Sequence, residues 1–231
     1  MIGAALFGAA WAFVPAILQA RRGSHIVITT IMFNFIAAAL LNYVLVNLMR
    51  PVGSMDPASA RFPDGTHLPK LTDLAASAGI EWGKNTPANI TFLIAVAACA
   101  LVWLLIWRTR LGYEIRSFGR SERAARYAGI SPVRITVVAM LISGALAGLM
   151  AVNNVMGEAG RLLLNSAEGA GFIGIAVALM GRNHPLGVAL AALLFGFLYQ
   201  GGAELAFDMP SISRDMIVVI QALVILFTGA L

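Results

Sequence analysis

Charge is scarce in this sequence: Asp, Glu, Lys and Arg together make up 12 % of its 231 residues, while 59 % are hydrophobic. A water-soluble domain carries about a quarter charged residues and about half apolar ones, so the surplus apolar surface must face another solvent. The mean hydropathy of +0.83 points to lipid. Cysteine is almost absent. Cys99 stands alone inside an apolar run, which excludes an internal disulfide and leaves it a packing role. His25, His67 and His184 lie in three separate connections with no partner at ligand spacing, so no metal site is expected. A GxSxG elbow and paired carboxylates on one helix face are also missing, and with them any case for an enzyme. Gly169, Gly171 and Gly174 spell GxGxxG, but no strand precedes them and no carboxylate follows about 20 residues on. The stretch from Gly79 to Lys84 is one residue short of a phosphate-binding loop and is followed by Asn85 instead of a hydroxyl residue. No cofactor is therefore expected on this chain.

What the chain has in quantity is apolar length. A bilayer core about 30 Å thick takes about 20 helical residues, because each rises about 1.5 Å and lipid offers no partner to a free backbone group. Ile2 to Leu18, Ile26 to Leu48, Pro87 to Trp107, Pro132 to Val152 and Met216 to Leu231 meet or approach that length. The stretch from Gly169 to Gly201 is interrupted by Arg182, Asn183, His184 and Pro185, which predict a turn between two helices. The first of these, Gly171 to Gly181, covers only about 16 Å and either extends backward through Leu162 to Glu168 or does not fully cross. The expected fold is thus an all-α integral membrane protein, a polytopic bundle of six or seven transmembrane or partly re-entrant helices in a single domain over 1–231. Thr86 before Pro87 and Ser131 before Pro132 each place a hydroxyl cap ahead of a proline at the first helical position.

Orientation follows from the arginines. Seven of them, with two glutamates, lie from Arg108 to Arg134; Arg21, Arg22 and Arg182 fall in connections of the same parity. That parity holds ten basic residues and the other six, which puts the 108–131 loop and the C-terminus in the cytoplasm. The 50–86 segment falls outside, where Arg50, Arg61, Lys70 and Lys84 are balanced by Asp56, Asp64, Asp73 and Glu81. The pI of about 10.0 then needs no nucleic acid. Arg21 and Arg22 follow the first apolar run instead of preceding it, unlike a secretory signal. A first helix that runs from outside to inside reads as the continuation of a longer, N-terminally truncated chain.

Polar residues within apolar helices must face protein or water. Thr30 and Asn34, four apart, share a face of the second helix, with Asn42 about 80° round from Asn34 at 100° per residue. They are candidates to line a path; the alternative is hydrogen bonding to neighbouring helices. Gly144 and Gly148 form a GxxxG packing pair. In the cytoplasmic loop, Gly119 to Ile130 reads GRSERAARYAGI. Ser121 can cap a two-turn helix there, Glu122 complements its N-terminal end and Arg126 its C-terminal end, and Gly129 can supply a left-handed stop. With the small residues Ala124, Ala125 and Ala128, this helix suits docking into a cleft of another protein; the alternative is a solvated basic loop.

A cytoplasmic helix of this form resembles the coupling helix of permease subunits in bacterial ABC importers. The run Val27 to Tyr43, VITTIMFNFIAAALLNY, resembles a helix of the ribose and branched-chain amino acid permease superfamily, with Phe33 and Phe35 where leucine and tyrosine usually flank the asparagine. Gly171 to Gly196, GFIGIAVALMGRNHPLGVALAALLFG, is similar to the nucleoside branch, and the matches cover nearly the whole chain. Ser121 stands where the family often has Asn.

The resemblance implies a permease translocating a nucleoside or simple sugar across the inner membrane. Its partners would be ATPase subunits that hydrolyse the ATP, a second permease subunit and an extracytoplasmic substrate-binding protein. Arg120, Ser121, Glu122, Arg123, Ala124, Ala125 and Gly129 would form the ATPase-coupling element, and Thr30, Asn34 and Asn42 the substrate path. Two rivals stand beside it: an ion-coupled carrier using Glu158, Glu168 or Glu204, and a non-transporting scaffold subunit. The long helices have essentially no ionisable group near their midplanes, which disfavours the carrier.

Overall fold

The computed structural model describes residues 1–51, 53, 55–66, 68–71, 89–164, 169–208 and 214–229. Among these the chain is helical, with isolated bridges and no strand. It divides into two compact units, Met1–Ala98 with Leu104–Ala167, and Cys99–Trp103 with Glu168–Leu231. Among the described residues five helices, Ile2–Arg22, Ile26–Met49, Thr91–Arg108, Pro132–Ala159 and Pro185–Gly202, are long and apolar enough to cross a membrane. No more than 17 % of any such span is buried inside the chain, so most of this apolar surface must meet lipid or other protein.

In the first unit, α1 (Ile2–Arg22) is closed by Gly23 at φ +64, whose amide returns to the Gln19 carbonyl. Helix α2 (Ile26–Val44) runs on into a π turn over Leu45–Met49. Helix α3 spans Thr91–Arg108, a later start than the Pro87 predicted from sequence; Thr86 and Pro87 lie outside the described residues. Its first turn is organised by Asn89, whose Oδ1 accepts from the Thr91 amide at 3.0 Å. Helices α4 (Arg110–Arg120) and α5 (Glu122–Tyr127) follow, then α6 (Pro132–Val152), which continues as a π helix over Asn153–Ala159.

Helices α1 and α6 form the tightest pair. A Cβ on Gly8 would lie 2.3 Å from the Gly144 carbonyl oxygen, and one on Gly148 would lie 2.2 Å from that of Ala4. The GxxxG of α6 thus meets a small-residue stripe on α1, and the backbones touch where side chains would normally stand.

Helix α4 is a feature that apolar length alone does not reveal. Arg110 pairs with Glu114 at 3.3 Å, and Leu111, Ile115 and Phe118 form an i, i+4, i+7 stripe that is half-buried. Thr109 caps it, its hydroxyl accepting from the Gly112 amide at 3.1 Å.

In the second unit, α7 (Ala170–Met180) has 11 residues, about 16 Å at helical rise and short of the bilayer core. Glu168 and the three residues before it, through which a backward extension would run, lie outside the described residues. The predicted turn is present: Arg182 and Asn183 adopt φ +51 and +54, the left-handed geometry usually left to glycine. Their amides satisfy the carbonyls of Leu179 and Ala178 at 2.9 Å each. Pro185 then opens α8 (Pro185–Asp208), followed by α9 (Arg214–Gly229). Gly187 and Gly181 allow this hairpin to close, since a Cβ on Gly187 would lie 2.4 Å from the Gly181 carbonyl oxygen. Val177, Ala191 and Phe195 form its core.

Candidate functional site: an exposed capped helix and a polar cluster

The segment between α4 and α6 folds as a sequence of caps. Ser121 leaves helical geometry at φ −158, ψ 109, and its Oγ accepts from the Ala124 amide at 3.3 Å. Glu122 and Arg126 pair along α5 at 2.5 Å, each near the helix end its charge favours. Gly129 takes φ +78, and the Ile130 amide donates to the Ala125 carbonyl at 2.9 Å, closing the helix. Ser131 then caps α6, and Pro132 takes its first position. Replacing Ser121 with alanine is expected to cost about 1 kcal/mol, by loss of one N-cap. Amide exchange in α5 should speed up while exchange in α6 stays as it is.

The exposed face of α5 differs from its composition. Ala125 is only 2 % exposed: its methyl seats the helix on its own chain. Arg120, Glu122, Arg123 and Ala124 are exposed. So is Tyr127, at 95 %. At 100° per residue, Arg123 and Tyr127 sit about 160° to either side of Ala125 and share the outward face. Tyrosine and arginine are among the residue types most enriched at interface hot spots. Sequence reasoning misses Tyr127; its only signal is a lone aromatic in an otherwise small and charged helix. Behind α5 lies a groove of about 740 Å³ lined by Gln19, Ser24, Phe118, Glu122, Arg126 and Thr136.

Of the residues expected to line a path, Thr30 is half-buried and turns its hydroxyl back to its own helix, donating to the Ile26 carbonyl at 2.9 Å. Asn34 and Asn42 are exposed. The half-buried side of α2 is marked by Phe33, whose ring meets Trp11 of α1 edge-on at 5.7 Å. Asn34 flanks that side about 100° from Phe33, whereas Asn42 lies about 180° from it, so the three do not form one cluster.

A polar cluster does form elsewhere, between residues distant in sequence. Asn153, where α6 becomes a π helix, accepts at Oδ1 from Asn89 Nδ2 at 3.1 Å and from Thr91 Oγ1 at 2.7 Å. Thr91 Oγ1 also contacts Asn89 Oδ1. Asn89 is 7 % exposed. Gly157 closes over it, since a Cβ there would lie 2.4 Å from Asn89 Nδ2.

The five bilayer-length apolar helices among the described residues, with a short capped polar helix between two of them, define a multi-pass membrane protein. The sequence matches the family described as branched-chain amino acid transport system / permease component over residues 1–229, and the chain belongs to that family. It is similar to the glucose ABC transporter permease protein TsgB13 of Haloferax volcanii, 36 % identical over 98 % of this chain and 59 % of that protein. It is also similar to the guanosine ABC transporter permease protein NupP of Bacillus subtilis, 34 % identical over 100 % of this chain and 64 % of that one. The nucleoside ABC transporter permease protein NupB of Lactococcus lactis is 35 % identical over 96 % of this chain and 60 % of its own length. The chain thus spans about three fifths of the length of these curated relatives. No solved structure matches it.

Proposed function

We propose that this chain is the membrane-spanning permease part of an ATP-driven importer for a nucleoside or simple sugar. The observation that carries the reading is α5, a six-residue helix capped at both ends that presents Arg123 and Tyr127 to solvent between two apolar spans. The stretch from Gly79 to Lys84 falls short of a phosphate-binding loop, so in this account force enters the chain by contact. A rigid helix with an aromatic and an arginine outward is built to receive it. Arg120, Glu122, Arg123, Ala124 and Tyr127 meet the ATPase subunit in this account. Ser121, Ala125 and Gly129 hold the helix in place for that contact.

The arginine distribution supports α5 and the C-terminus in the cytoplasm of a bacterial inner membrane, with the 50–86 segment outside. An extracytoplasmic binding protein would deliver substrate to that outer side. A second permease subunit would cover apolar helix surface left exposed here. One permease domain over 1–231 and no cofactor on this chain complete the proposal. The names of the relatives, which carry glucose, guanosine and nucleoside, favour a nucleoside or simple sugar.

Energy coupling is tested by uptake of labelled guanosine and glucose in cells carrying or lacking the gene. Uptake that depends on the gene, survives an uncoupler and stops on ATP depletion is the expected result. Uptake lost with the uncoupler but not with ATP depletion would establish an ion-coupled carrier. Asn34→Leu is expected to lower uptake about tenfold at unchanged chain level if the exposed amide meets substrate, the effect of one lost polar contact. Unchanged uptake would make Asn34 structural.

A further inference from the structure

Helix α6 has α5, the helix that meets the ATPase subunit in the importer account, at one end and a strapped outer segment at the other, about 30 Å apart at helical rise. At the first end, Ile130 donates to Ala125 and Ser131 caps α6, so α5 and α6 are joined by a short turn held by these bonds. At the far end Ser59, Phe62 and Leu68 are laced onto the π helix and the residues after it. Leu68 donates to the Met156 carbonyl at 3.3 Å, Phe62 to Gly160 at 2.9 Å and Ser59 to Leu162 at 3.0 Å. The Leu162 amide returns to Ser59 Oγ at 2.9 Å. This strap is closed on its other side by the Ile90 amide, which donates to the Pro69 carbonyl at 3.3 Å.

Asn153 stands at the junction. Its Oδ1 takes two donors from the start of α3, at 3.1 and 2.7 Å, at the residue where α6 leaves α geometry. A π turn carries one residue more than an α turn, so a one-residue slip would restore α geometry and move everything beyond it by about 1.5 Å. The segment that would move is the one bonded to the strap. Inside the π segment, Gly157 lies so close to Asn89 that a Cβ there would be 2.4 Å from Asn89 Nδ2. A slip bringing Met156 or Glu158 to that place would push Asn89 off Asn153, so the Asn89–Asn153–Thr91 bonds favour the register in which Gly157 faces them. An apolar contact would hold helices together equally well but would not select between registers.

We propose that Asn153 is a positioning residue for transport, fixing the register through which movement of α5 reaches the outer strap and binding of an external protein reaches α5. This inference rests on the importer reading. It goes beyond it by naming the joint.

The test uses the assembled complex of this chain with its ATPase and binding protein in lipid nanodiscs. ATP hydrolysis is measured alone and with binding protein loaded with guanosine, or with glucose where guanosine does not bind. Asn153→Leu is expected to keep basal hydrolysis and complex assembly at wild-type level while stimulation falls about tenfold, the scale of a lost coupling contact. Asn153→Asp, which keeps the accepting oxygen, is expected to restore most of the stimulation. Full stimulation in Asn153→Leu, or equal loss in the Leu and Asp variants, would overturn the proposal. If Asn153→Leu does not assemble, Thr91→Val removes one donor only; partial loss of stimulation is expected, and full stimulation overturns the proposal. A wild-type complex that is never stimulated by the loaded protein would instead overturn the importer reading, and this inference with it.

Discussion

Leucine in place of Gly148 is expected to prevent the chain from accumulating as a monodisperse membrane protein. The added Cβ alone would lie 2.2 Å from the Ala4 carbonyl oxygen and 2.9 Å from its carbon, both backbone atoms that cannot rotate away. Overpacking of a side-chain core costs about 1 to 3 kcal/mol, and with backbone on both sides the cost here should reach or exceed about 3 kcal/mol. In lipid no hydrophobic term compensates by driving the helices back together, since tails are as apolar as leucine. Gly144→Leu should behave alike, its Cβ lying 2.5 Å from that of Ala12 and 2.6 Å from the Gly8 oxygen. Gly3→Leu on α1 supplies the control, because nothing lies within 4 Å of a Cβ at that position. Size-exclusion profiles and thermal unfolding in mild detergent should separate the first two variants from the third. Equal behaviour of all three would mean that α1 and α6 do not pack at their glycines.

Tyr127→Ala is expected to leave the chain folded and to weaken its association with the ATPase subunit about thirtyfold, or about 2 kcal/mol, the scale of an interface hot spot. The ring is 95 % exposed, so removing it breaks almost nothing within the chain. Ala125→Arg makes the contrast. Ala125 is 2 % exposed, and an arginine there should unseat α5 itself, so that stability and association fall together. Loss of binding without loss of stability assigns contact to Tyr127; loss of both at Ala125 assigns seating. Retention of the ATPase by Tyr127→Ala would move the contact away from the outward face of α5.

The difference between Tyr127 and Ala125 shows where the residues themselves stop being informative. Caps are local, and so Ser121, Ser131 with Pro132, Gly129 and the Arg182 to Pro185 turn are all legible in the sequence. Spans are legible because lipid demands length. A six-residue helix, by contrast, is less than two turns long and has no periodicity from which to tell its inward side. Helix α4 is hidden for the opposite reason: its Arg110 and Glu114 charges pair with each other, and its apolar stripe of Leu111, Ile115 and Phe118 is too short to read as a membrane span. Gly144 and Gly148 signal a close approach, but Gly8, Ala4 and Ala12 as their partners depend on which helix arrives. The same holds for Asn89 and Asn153, which are 64 residues apart and meet only once α3 and the π turn of α6 are in place. Thr30 shows the reverse case: its spacing suggests a shared polar face, yet a hydroxyl in a helix can satisfy itself on its own backbone.

The most direct measurement is affinity purification of the tagged chain from mild-detergent membranes, with co-purifying proteins identified by mass spectrometry and assayed for ATP hydrolysis. The account predicts recovery of an ATPase whose retention falls in Tyr127→Ala while the chain itself is recovered at wild-type level. Recovery of the folded chain without any ATPase, from membranes that contain the candidate partner, would contradict it.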